Sequence, residues 1–246
     1  MGRAVSEERA PEPSVLAVHA HPDDEALWTG GLLATHTRAS VVTCTWAAGT
    51  QRVGELERSL EILGAGEPRL LGYADTTPES APGRPRFRDV PFDMLVERVV
   101  EHIRDVKPDI VATYDAYGGY GHQDHILAHR VTLAAVEAAG HDQLYQSAGP
   151  AWHPSALYLA TLPRTFVEEI WQAVMGMPPD GQTLPGVPDA RIGVTLDIRP
   201  VGERKWAAIQ AHRSEIERGG SMTLLTSLPE HLRNRLLTNE WYLRRD

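Results

Sequence analysis

One cysteine in 246 residues removes two structural devices at once. Cys44 cannot close an internal disulfide, and it cannot belong to a thiolate metal cluster. It lies in Ser40-Val41-Val42-Thr43-Cys44-Thr45-Trp46, which reads as a strand, so a small buried role is expected. No apolar run approaches the roughly 20 residues of a membrane span. Met1 to Ser14 holds Arg, Glu and Pro and lacks the apolar centre of a signal peptide. Residues 1–14 are therefore expected to form a mobile leader, and the protein to be cytoplasmic with no membrane partner. Basic charge is also scarce: 24 Lys and Arg stand against 33 Asp and Glu, a formal charge of -9. Nucleic acid is a poor partner for that balance, because phosphates need a basic face. No linker, repeat or low-complexity tract divides the chain, so residues 15–246 read as a single domain. No Gly-x-Gly-x-x-Gly follows the first apolar run, which leaves a non-catalytic nucleotide or sugar-phosphate module without support.

Alternation of apolar runs and helical periods fills what remains. Residues 15–20 read as a strand buried on both faces, followed by a helix at 26–36 and a second strand at 39–46. Val53, Leu56, Leu60 and Leu63 carry helical spacing, and Gly64 stops that helix. A short strand at 69–73 precedes residues 74–91, which are rich in Pro, Gly, Arg and Asp and have no period. A connection of that length is usually functional or mobile. An amphipathic helix at 92–106, a strand at 110–114, a glycine-rich loop and a helix at about 122–139 follow. Beyond these, strands at 156–162 and 192–198 and helices at 163–177 and 200–218 are expected, with a Pro/Gly loop at 178–188. The pattern predicts a three-layer α/β/α sandwich with a Rossmann-like, mostly parallel sheet.

Two charged loops fall at the carboxyl ends of strands, where open α/β sheets bind ligands. The first is His19-Ala20-His21-Pro22-Asp23-Asp24-Glu25 and the second Tyr120-Gly121-His122-Gln123-Asp124-His125. Charges crowd the end of a buried strand chiefly where a cation or a reaction needs them. A catalytic zinc typically takes three protein ligands and leaves one position open. His21 and Asp24 at the first turn, with His125 from the second, can converge on one ion. Zinc would acidify a water and polarise a carbonyl, Asp23 is the candidate general base, and Tyr120 or His122 could stabilise an oxyanion. Asp124 could accept the spare ring proton of a ligating histidine.

These two motifs, with Val42-Thr43-Cys44-Thr45, Arg52-Val53-Gly54-Glu55-Leu56, Thr113-Tyr114-Asp115 and Gly118-Gly119-Tyr120-Gly121-His122, resemble the LmbE/PIG-L family of zinc-dependent N-deacetylases. The likeness spans roughly residues 15 to 140, with a weaker echo at Lys205 and His212. It is nearest to the actinobacterial mycothiol-pathway branch, which contains N-acetylglucosaminyl-inositol deacetylases and mycothiol conjugate amidases. The resemblance implies His21, Asp24 and His125 as ligands of Zn2+, or of another divalent metal such as Fe2+. It implies Asp23 as base, Tyr120 and His122 as catalytic partners, and Arg52 and Asp75 as substrate contacts. The implied substrate is a small N-acetyl amino sugar; a thiol conjugate or an N-acylated natural-product intermediate is the alternative, and homo-oligomerisation stays open. Two departures touch the substrate side: the loop before Arg52 is short for that branch, and residues 74–91 are distinctive.

Plainer roles compete. Asp24 could be a helix N-cap, Asp124 a helix-terminal charge, and Arg52 a partner of Glu55 on its own helix. His129 lies one turn after His125 but is surplus to a completed site, so it is given a structural role.

Overall fold

The computed structural model describes residues 12–177, 181 and 183–245; most of the expected leader and part of the 178–188 loop lie outside them. Strands β1 (Val15–His19), β2 (Ala39–Thr45), β3 (Arg69–Tyr73), β4 (Ile110–Tyr114), β5 (Ala156–Thr161), β6 (Val194–Asp197) and β7 (Asn239–Arg245) form one sheet. Their order is β3-β2-β1-β4-β5-β7-β6, parallel from β3 to β5 and antiparallel at β7 and β6. β1 lies in the interior, paired with β2 on one side and β4 on the other, and every one of its residues is buried. An uninterrupted apolar run is what such a position requires.

Helices α1 (Asp24–Thr35), α2 (Gln51–Leu63), α3 (Phe92–Val106), α4 (Gly118–Gly121) and α5 (Gln123–Ala139) connect the parallel strands. The chain steps outward from β1 through β2 to β3, crosses back to β4, and continues to β5. Right-handed crossovers in these two directions place α1 and α2 on one face and α3 and α5 on the other. Accordingly α3 packs on α5, while α1 and α2 both pack on a later helix over Gly202–Ala211. α3 turns Leu95, Val96, Val99, Val100 and Ile103 inward, the stripe its sequence predicts. The winding reverses between β1 and β4, and the loops leaving these strands diverge to open a crevice. Residues 74–91 wrap beside it as two short 3-10 turns, with Phe87 buried as their anchor.

β3, α3 and β4 fall on their expected residues. The last third departs from expectation. Helix α6 (Arg164–Met175) is present, but the single helix expected over 200–218 is broken into α7 (Gly202–Ala211) and α8 (Arg213–Arg218). The break is at His212, whose backbone (φ -83, ψ 59) leaves the helix while its buried ring bonds Glu25 of α1. Further on, α9 (Ser221–Ser227), α10 (Glu230–Thr238) and β7 occupy residues for which no element is predicted. β7 slots between β5 and β6. Its Glu240 is buried, accepting from the Gly31 and Leu32 amides of α1 and from Lys205 Nζ, which clamps α1, α7 and β7 together.

Candidate active site

The turn after β1 is held in a shape its residues do not prefer. Asp23 has φ 122 and ψ -29, a region that L side chains occupy only when the surroundings compel it. Glu25 supplies much of that compulsion. Its Oε2 accepts from the Asp23 amide at 2.9 Å, and its Oε1 takes Ser59 Oγ and His212 Nε2. Arg52 adds a bond to the Pro22 carbonyl and an ion pair to Asp23 Oδ2 at 3.2 Å. The turn after β4 instead relies on glycine. Gly118 and Gly119 have φ 66 and 77, and a Cβ on either would collide with His125 or with the Trp28 ring. That close approach lays α4 against α5 and carries Tyr120 over the crevice.

The two turns meet. His21 Nδ1 lies 3.1 Å from His125 Nε2 and 3.3 Å from Asp24 Oδ2, and His125 Nε2 lies 3.4 Å from that same oxygen. Partners on the far side of each ring assign the protons. His125 Nδ1 faces the Gly118 carbonyl at 3.0 Å and His21 Nε2 faces Asp124 Oδ2 at 3.4 Å. The nitrogens turned towards each other are then the ones with lone pairs. With both rings neutral, three electron-rich atoms would converge with no hydrogen between them, an arrangement that calls for a cation. Donors around a tetrahedral zinc at ~2.0–2.1 Å stand about 3.3 Å apart, so the donor set suits such an ion. A proton is the smallest substitute. Burial by itself would lower His21, but Asp124 and Asp24 beside it prevail and push it up to about 10. Burial likewise lowers His125 to about 4, keeping that ring neutral. Burial raises Asp24, yet His125 and His21 override it and hold the carboxyl below its usual range.

A ring nitrogen of His122 also comes within 4.8 Å of His21 and His125. Asp24 is the better third donor, because it brings negative charge and tighter spacing, and because His122 Nδ1 is engaged in capping α5 at the Asp124 amide. Asp75 and Asp124 flank the outer nitrogen of His21, with Asp75 Oδ1 at 3.7 Å.

Around this cluster a polar cleft of about 210 Å³ is lined by Asp23, Arg52, Asp75, Tyr120, His122 and a C-terminal rim at Glu215 and 218–221. Burial lifts the Asp23 carboxyl to about 7 against the pull of Arg52, poising it to exchange a proton near neutrality. Tyr120 is raised by burial and by Asp24 and Asp23, so its hydroxyl remains a donor. His122 is lowered, by burial and by His21 nearby.

All nine sequence-predicted site residues therefore surround one crevice. The rival role for Arg52 does not hold: it stacks over Trp46 and reaches Glu215, while Glu55 bonds Ser214 at the start of α8. His129 bonds the Tyr114 carbonyl, the structural use expected of it. Four supporting residues carry no role in the sequence reading. Tyr114 donates to Asp24 Oδ2 at 2.6 Å and stacks on the His125 ring at 4.2 Å. Arg88 pairs with Asp124 Oδ1 at 3.2 Å, and Glu215 and Ser221 close the rim. Beyond residue 140 the sequence offers only the faint pattern at Lys205 and His212 and the expectation that the C-terminal part closes one rim of the pocket, where Glu215 and residues 218–221 now stand.

A cation-ready cluster at the switch point of a parallel sheet, beside a carboxyl group lifted towards neutrality, suits the metal-dependent hydrolase class. Residues 16–136 match the family model described as PIG-L: GlcNAc-PI de-N-acetylase. The chain is 37% identical over 243 residues to the 1D-myo-inositol 2-acetamido-2-deoxy-alpha-D-glucopyranoside deacetylase of Rhodococcus jostii, covering 83% of this chain and 82% of that one. It belongs to the PIG-L family and is an enzyme, a deacetylase. Solved structures share the fold. N,N'-diacetylchitobiose deacetylase from Pyrococcus horikoshii matches with TM-score 0.66 at 18% identity, over 95% of this chain and 84% of that one. The 4-carboxy-2-hydroxymuconate hydratase GalB from Pseudomonas putida matches with TM-score 0.60 at 19% identity, over 95% and 96%. A hydratase on this fold shows that architecture alone does not choose the reaction. Among the described residues, no helix is long and apolar enough to cross a membrane.

Proposed function

We propose that the enzyme removes the acetyl group from an N-acetylglucosaminyl-type glycoside or pseudodisaccharide, with zinc held by His21, Asp24 and His125. The convergence of three lone-pair donors within 3.1–3.4 Å carries this reading. The bound metal supplies Lewis acidity, which makes water more acidic and the amide carbonyl more electrophilic. Asp23 takes the proton of the attacking water. Tyr120 donates to the carbonyl oxygen as it gains charge, and His122 or the protonated Asp23 delivers a proton to the departing nitrogen. Acetate and a free amine result. Arg52 and Asp75 face the sugar, and Asp124 holds the His21 ring in the tautomer that leaves Nδ1 free. The names of relatives such as the Rhodococcus deacetylase support the amino-sugar substrate. The same donors suit iron(II), and the metal that copurifies decides between the two.

Removal of metal by a chelator is expected to abolish amine release from N-acetylglucosaminyl-inositol, and added zinc to restore it. Full turnover by metal-free protein would overturn the reading. Because Asp124 and Asp24 hold a proton on His21 above the ordinary histidine range, metal must displace it. Zinc affinity should therefore rise with pH by about tenfold per unit through the neutral range, with one proton released per ion.

A further inference from the structure

Beside the polar cleft lies a second, larger cavity of about 390 Å³ that the deacetylation of an acetyl group does not use. Its wall is almost wholly apolar: Trp28, Leu162, Ile170, Leu224, Leu225 and Leu228 supply most of it. Two residues, Tyr120 and Ser221, line both cavities and stand between them. Tyr120 lies parallel to the Trp28 ring at 6.4 Å and edge-on to His125 at 5.1 Å. It is flanked by Gly119 and Gly121, both at positive φ, and it is 43% exposed. The partition between the cavities is thus the side chain that the proposed function places at the scissile carbonyl.

We infer that the apolar cavity is an acyl subsite, and that the enzyme hydrolyses, besides the acetyl amide, amino sugars whose amide carries a medium-length alkyl chain. This rests on the deacetylase reading above, which fixes where the carbonyl lies. The sides of the amide then separate by chemistry. Asp75, Arg52 and Glu215 on the polar side can bond sugar hydroxyls and have nothing to offer a hydrocarbon. The cavity beyond Tyr120 offers a hydrocarbon wall and nothing to a sugar. Continuity through Tyr120 and Ser221 makes the acyl chain its occupant. The reaction keeps its balance: water adds to the carbonyl carbon, the C–N bond breaks, and the nitrogen leaves with a proton as an amine while a fatty carboxylate remains. Each methylene taken from water into such a wall favours the longer substrate by on the order of a few fold.

Zinc-loaded wild-type protein, assayed on N-acetyl- and N-octanoyl-glucosaminyl-inositol, should show kcat/KM at least tenfold higher for the octanoyl amide. Leu224→Asp, at a half-exposed wall position, and Ile170→Phe should each lower octanoyl turnover more than tenfold and acetyl turnover less than threefold. Octanamide alone should quench tryptophan fluorescence through Trp28, and Leu224→Asp should abolish that quenching, whichever sugar the enzyme prefers. Hydrolysis of the acetyl amide alone would overturn the subsite and leave the deacetylase. An advantage for an octyl glycoside of N-acetylglucosamine, without one for the octanoyl amide, would assign the cavity to the aglycone and overturn the inference. No amine from either amide, with copurified zinc present, would overturn both readings.

Discussion

Residues 15–139 and residues 194–245 reach the same crevice by different routes. The first region carries every group proposed to react, each placed by the strand or helix immediately beside it. His21 and Asp24 follow β1 directly, and Tyr120, His122 and His125 follow β4. The second region brings no group to the reaction, yet its His212 holds Glu25, its Glu240 clamps α1, and Glu215 and Ser221 wall the cleft. The contrast separates two tasks. Chemistry needs particular atoms at close range, which consecutive residues at a strand end supply. Holding a strained turn needs buried partners that can come from anywhere in the chain.

The largest effect should come from the first region. Asp23→Asn keeps the side-chain shape, and Asn tolerates positive φ better than most residues. We expect zinc content to stay stoichiometric and kcat to fall by about 10² to 10⁴. Near-normal kcat with full metal would remove Asp23 from the chemistry and blur the division between the regions.

His212→Ala tests the second region. It strands the Glu25 carboxylate, which is fully buried, so a loss of about 3–5 kcal/mol is expected, read by denaturant unfolding. The pH dependence gives the prediction a sharper edge. Burial lowers His212, but Glu25 prevails and raises it above 6.5, while Glu25 itself is held low by the same pair. The histidine's contribution is complete below pH 6.5 and fades as pH climbs through its folded value. Glu25 contributes above its unfolded value of 4.5. The stability gap between wild type and His212→Ala should thus be widest at about pH 5–6 and narrow in alkali. A gap independent of pH would mean that His212 acts by packing alone.

Arg88→Ala should do least. Arg88 is half-exposed and touches the site only through Asp124. About a threefold weakening of zinc binding, with kcat little altered, is expected from loosening a carboxylate that steadies His21. An effect rivalling that of Asp23→Asn would place residues 74–91 among the reacting groups rather than beside them.

How much was legible follows the same boundary. β3, α3 and β4 announce themselves by apolar runs and periods, since a strand covered on both faces must be apolar and an amphipathic helix must show its stripe. The break at His212 does not. Its neighbours favour a continuous helix, and only a carboxylate 187 residues away draws the ring out of line. β7 hides for a related reason: buried Glu240 precedes Trp241 and Tyr242, and a charge there looks exposed until Lys205 and the α1 amides are seen to satisfy it. Tyr114 reads as the end of a strand within the family pattern, and only the packed structure shows its hydroxyl bonding Asp24.

From the sequence alone came the mostly parallel sheet, the two charged loops at its strand ends and the candidate donors, because these depend on neighbours a few residues apart. Tertiary structure alone decided that the candidate donors face one another, that Asp23 is held in a strained backbone, and that an apolar cavity adjoins the polar cleft behind Tyr120. Each of those depends on distances between segments remote in the chain, and such distances exist only once the core has packed.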